Sequence, residues 1–138
     1  GPGIPAGQIS QEPVSNTDIA ASALDWAGVS PQQAHHGQSL KTLIDQPSAT
    51  RDFAYGEWDL NPQNWGLDLK LRVVRTPRHK MTMEMNSGAG ELYDLQNDPY
   101  ETTNLFDQER KLKKEFEDMI RSRPNDQIPE ALVPSGLH

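Results

Sequence analysis

Apolar positions recur along this chain with two different periods. Between Thr17 and Ala27, the residues Ile19, Ala20, Ala23, Leu24 and Ala27 return at helical spacing, which predicts one helix with an apolar stripe. Ser15-Asn16-Thr17-Asp18 supplies side-chain oxygens and an acid for its start, and Gly28 accepts a left-handed conformation at its end. From Arg51 the period changes to two. Phe53 and Tyr55 alternate with smaller or polar neighbours; Leu69, Leu71 and Val73 alternate with Lys70, Arg72 and Val74; Met81, Met83 and Met85 alternate with Thr82 and Glu84. These runs predict strands. The first ends in a Trp58-to-Gly66 loop with an Asn61-Pro62 turn, and the next two form a hairpin through Thr76-Pro77-Arg78-His79. After a flexible turn at Asn86–Gly90, Glu91–Leu95 is a further strand. Asp107 is placed to cap a last helix whose Leu112, Phe116, Met119 and Ile120 share one face, and which stops before Pro124. A short strand at Gln8-Ile9-Ser10 and a helical turn or two at Ser39–Ile44 complete the pattern. The tail from Asn125 reads as a surface strap or as disordered. The expected class is α+β: three or four consecutive antiparallel strands with the last helix on one face.

Composition narrows what this pattern can do. With 138 residues, 34% apolar residues, eleven Pro and ten Gly, the chain has the length of one domain but much loop, so a large core is not expected. The net charge of −7 disfavours nucleic acid, whose sequence-independent binding relies on Lys and Arg. No apolar run approaches the roughly 18 residues of a membrane span. Without Cys there is neither a disulfide nor a thiolate metal site. The start at Gly1-Pro2-Gly3, with no Met and no signal peptide, reads as a piece of something longer.

Few residues offer chemistry. His35-His36 lacks the partners of a metal motif, and His79 reads as a surface turn residue. Lys70, Arg72, Arg75, Arg78 and Lys80 form a basic stripe that would draw an anionic ligand or, more plainly, solvate a hairpin. Met81, Met83 and Met85 read as packing. Asp94, Asp98 and Glu101 lack the spacing of a calcium loop. Ser22 and Ser39 have no recognisable base. Glu57-Trp58 and Trp65 bracket a loop with Asn61 and Asn64; flat aromatic faces and amides are what a sugar-binding rim uses, although Trp is also a common core residue.

Five motifs in order resemble the C-terminal part of the type I, formylglycine-dependent sulfatases of the alkaline phosphatase superfamily. They are Gly1-Pro-Gly-Ile-Pro-Ala-Gly7; Val14-Ser-Asn-Thr-Asp18 with Leu24 and Ala27-Gly28-Val29; Gly37-Gln-Ser-Leu40; Arg72-Val-Val-Arg-Thr76 with Lys80; and Glu91-Leu-Tyr-Asp-Leu95 continuing through Asp98-Pro99, Glu101 and Asn104-Leu105. The resemblance implies three segments: residues 1–48 as the terminal strand-and-helix portion of a catalytic α/β domain, 49–122 as an antiparallel-sheet subdomain with its helix, and 123–138 as an extended tail. It also implies that the nucleophile and metal ligands lie upstream. No catalytic residue, metal ligand or cofactor is expected in this chain, while calcium and formylglycine are implied for the parent. The expected partners are the upstream catalytic portion and, in the parent, a sulfated small molecule or glycan, with no nucleic acid and no membrane. A periplasmic or secreted address is implied by the family alone. The expected substrate-binding residues are Glu57, Trp58, Trp65 and Arg75, the last because the family pattern contains it. Two alternatives stay open: a parent acting on phosphate or phosphonate esters, and an independent binding module.

Overall fold

The structure, a computed structural model, describes residues 4–30, 36–46 and 48–122. Helices α1 (Thr17–Trp26) and α2 (Lys41–Asp45) precede strand β1 (Ala54–Leu60), the single helical turn α3 (Pro62–Trp65), strands β2 (Leu69–Arg75), β3 (His79–Glu84) and β4 (Gly90–Asp94), and helix α4 (Arg110–Arg121). The strands form one antiparallel sheet in sequence order, β1-β2-β3-β4. The α+β expectation holds in this form.

The two-residue period decides which side chains meet. Val74 pairs with Met81 and Met81 with Leu92, so three fully buried side chains line up across neighbouring strands. The apolar face of α4 closes over them with Phe116 and Ile120, flanked by Leu112 and Met119, and Phe106 completes the core. Burying each such side chain contributes roughly 1.5–3 kcal/mol. The opposite sheet face carries Trp58, Leu71, Val73, Arg75 and Thr82, none of them fully buried.

The stretch from Leu95 to Leu105 protects an edge. Asn104 Oδ1 accepts the N–H of Leu92 (3.1 Å) and of Phe106 (3.0 Å), and the N–H of Leu105 donates to the Leu92 carbonyl at 2.8 Å. A side chain and one backbone group thus stand in for a fifth strand beside β4.

Several expectations give way. Residues 8–10 form no strand, since no described segment pairs with them, and Ile9 is 82% exposed. The first helix buries Asp18, Ala21 and Ser22 rather than Ile19, Ala20, Ala23 and Ala27, because its neighbours in space are the polar Gly37–Leu40 segment and Arg51. Its start is held by Asp18, whose Oδ2 accepts from the N–H of Ser15, while Asn16 makes no side-chain cap. Asp107 does not cap α4; it sits in a turn in which the Leu105 carbonyl accepts from Gln108 and Glu109. The expected Trp58-to-Gly66 loop is shorter: β1 runs on to Leu60, and Asn61 Oδ1 caps α3 by accepting from the Gln63 N–H. Met85 lies past β3 and is exposed. The tail, Pro124, Gly1–Gly3 and His35 lie outside the described residues.

Candidate substrate-rim site

Glu57 and Trp58 are neighbours on β1 and so point to opposite faces of the sheet. Trp58, cross-strand from Leu71, is 60% exposed on the face away from α4. Glu57, cross-strand from Arg72, is on the α4 side, with its carboxylate 3.8 Å from the Arg72 guanidinium. Trp65 ends the α3 turn and is 71% exposed. Arg75 shares the face of Trp58 but pairs with Ala54, four positions along β1, or about 14 Å at about 3.4 Å per residue. Its Nη1 donates to the Thr76 carbonyl at 2.9 Å, and among the described residues no carboxylate pairs with it. The fold therefore brings Trp58 and Trp65 towards one end of the sheet, puts Arg75 at the other end, and turns Glu57 away.

The rest of the basic stripe is largely committed. Arg72 also pairs with Asp59, Arg78 donates to Asp94 from Nη2 at 2.6 Å, and Lys80 pairs with Glu101. The acids that suggested a calcium loop are engaged as well. Asp94 is held well below the usual carboxylate range by Arg78, which together with Asn97 outweighs the opposing effect of desolvation. The backbone N–H groups of Thr102 and Thr103, with the Thr102 hydroxyl, donate to Asp98 and lower its pKa. Among the described residues no three His, Cys, Asp or Glu side chains converge.

His79, expected on the surface, is half-buried. Its ring stands edge-on to Phe116 with centroids 6.4 Å apart, and burial lowers its pKa despite Asp94 at 3.9 Å. Ser22 Oγ donates to the Asp18 carbonyl and accepts from the Leu40 N–H, and Ser39 Oγ donates to Asp25. These hydroxyls tie loops to α1.

Sequence reasoning gave Asp18 a place at the helix start and in a motif, but missed its burial and its pairing with Arg51. The carboxylate is 1% exposed and lies 2.7 Å from Arg51 Nη1 on the wall of a cleft of about 800 Å³. Burial alone would raise its pKa, but Arg51 and the N–H groups of Gln38 and Ser15 outweigh it, and the net shift is downward. The available signal was Gly37, whose missing side chain allows the backbone of Gln38 to approach. A Cβ there would lie 2.6 Å from the Thr17 carbonyl carbon.

The sequence model of the family described as N-sulphoglucosamine sulphohydrolase, C-terminal, matches residues 2–126. The chain belongs to this family. An arylsulfatase of Clostridium perfringens is 33% identical over 104 residues, covering 75% of this chain and 20% of that protein. An N-acetylglucosamine-6-O-sulfatase of Bacteroides thetaiotaomicron is 31% identical over 119 residues, covering 83% of this chain and 21% of that protein. The chain thus spans about a fifth of the length of these relatives. In fold alone it matches a solved 2-O GAG sulfatase, with TM-score 0.73, 24% identity, and coverage of 88% of this chain and 27% of the other. Membership places the sulfatase C-terminal motifs on identifiable contacts: Asp18 and Gly37 in the cleft wall, Arg72 and Lys80 in ion pairs, Asn104 and Leu105 at the sheet edge.

Proposed function

We propose that the parent protein hydrolyses sulfate esters or sulfamates of sugars, and that this chain supplies its C-terminal scaffold and the rim of its substrate pocket. The match over residues 2–126 carries this reading, since that family and both relatives are sulfatases. In it, residues 1–48 finish the catalytic α/β domain and 49–122 form the subdomain beside it. The outward side of α1 and the turn after it support the division, because Ile19, Trp26 and Val29 are 63%, 49% and 53% exposed and offer an apolar surface to an upstream portion.

Of the four rim candidates, Trp58 and Trp65 have the exposure that stacking on a sugar ring requires. Arg75 offers a cation to a sulfate from farther along the same face, and Glu57 would act from the other. Sulfatases generally use calcium and a formylglycine made from Cys. The residues here fit neither: the chain has no Cys, and Asp94, Asp98 and Glu101 are bound to Arg78, to Thr102 and Thr103, and to Lys80. Both groups belong, in this reading, upstream, and the bond-breaking chemistry does not run through these residues.

The test compares the full-length parent with this chain alone on N-sulfated and 6-O-sulfated glucosamine and on a phenyl phosphonate. Sulfate release by the parent only is expected. Phosphonate hydrolysis without sulfate release would overturn the reading.

A further inference from the structure

Two groups of elements meet in this chain, α1 with α2 and the sheet with α4, and Arg51 is a polar link between them. Arg51 immediately precedes the β1 region, yet its guanidinium reaches back 33 residues to Asp18, with Nη1 2.7 Å from Oδ2 and Nη2 3.4 Å from Oδ1. Its backbone N–H donates to Glu12 Oε2 at 2.7 Å. Asp18 also accepts from Ser15 N–H at 2.7 Å and Gln38 N–H at 2.8 Å, so donors from three chain segments fix one carboxylate. Beside the pair the two groups are separated by the cleft of about 800 Å³, with Asn16 and Gly37 on one side and Tyr55, Gly56 and Met119 on the other. Across such a gap apolar contact does little to set an orientation.

We propose that the Asp18–Arg51 pair is a positioning joint: it sets the antiparallel sheet, and with it Trp58 and Trp65, at a defined place relative to α1 and the catalytic portion that α1 adjoins. Its consequence is selectivity among sulfated substrates, with no contact to the reacting sulfate. The selectivity half rests on the sulfatase reading above; the joint itself does not. A buried ion pair is a weak device for stability, because desolvation offsets much of its attraction, whereas a two-pronged guanidinium–carboxylate bond fixes distance and direction together. Lysine could supply the charge but not the fork.

The full-length parent carrying Arg51→Met, and separately Arg51→Lys, tests the proposal. Arg51→Met is expected to lower kcat/KM for a sulfated oligosaccharide on the order of tenfold, mainly through KM, and to leave a small aryl sulfate within about twofold; Arg51→Lys is expected to restore only part of the loss. Equal losses on both substrates, tracking a fall in Tm, would reduce the pair to a structural role. Hydrogen exchange on the same variants reads the joint without catalysis: faster exchange at Ser15–Asp18 and in β1, with β3 and β4 still protected, is expected. Unchanged exchange overturns the joint. A wild-type parent that released no sulfate would sink the activity reading and leave exchange to decide the joint.

Discussion

Gly90 opens β4 with Phe106 packed over its backbone, and a Cβ there would lie 2.6 Å from both Phe106 Cζ and the Thr82 carbonyl oxygen. Gly90→Ala should cost about 1–3 kcal/mol, seen as a lowered Tm, because neither neighbour can retreat without opening the core. Two titrating groups work at the same scale. Burial holds His79 below its ordinary 6.5, with Asp94, Glu109 and Glu115 opposing that shift and Arg78 reinforcing it. The folded state thus binds this proton less readily than the unfolded one, so the contribution is complete above pH 6.5 and falls as pH drops through the folded value. Glu84 is lowered from 4.5 to about 2 by Ser87 Oγ and the N–H groups of Asn86 and Ser87, so its contribution is present above 4.5 and lost as pH falls towards 2. Stability measured against pH should show both descents. His79→Gln should remove the first and Glu84→Gln weaken the second, and a profile indifferent to both variants would contradict these assignments.

At the scale of elements, the edge of β4 and the face of α4 give the clearest expectations. Asn104→Ala leaves the Leu92 N–H without its acceptor and should cost about 1–3 kcal/mol, with increased self-association by light scattering because a strand edge is uncovered. Phe116→Ala should cost about 3–5 kcal/mol by denaturant unfolding, since that ring is 1% exposed in the centre of the cluster. The four strands and α4 were legible because alternation and helical spacing are local properties that one buried face imposes on consecutive residues. The buried side of α1 was not legible. Its apolar stripe was plain, but the chain's own contacts fall on Asp18 and Ser22, whose partners come from Gln38, Leu40 and Arg51.

At the scale of the whole molecule, Asp18→Asn removes the charge that compensates a largely buried guanidinium and should destabilise the chain by about 3–5 kcal/mol, measured by thermal unfolding. Trp58→Ala and Trp65→Ala are opposite in kind. Both side chains are mostly exposed, so Tm should hardly move while KM of the parent for a sulfated sugar rises. The candidate site was only partly legible for the same reason. Aromatic and amide composition marked the segment from Glu57 to Trp65, but β1 continues through its first half, and strand alternation divides Glu57 from Trp58.

By itself the sequence determined the span of α1, the run of consecutive antiparallel strands, the apolar face of α4 and, through five ordered motifs, the sulfatase family, because each depends on spacing within a short window. Only the tertiary structure decided that most of the basic stripe is tied to acids, that Arg75 stands far along the sheet from Trp58, and that Arg51 closes on Asp18 across 33 residues. Those outcomes depend on which segments the core brings together, and charge pairing follows distance in space rather than distance along the chain.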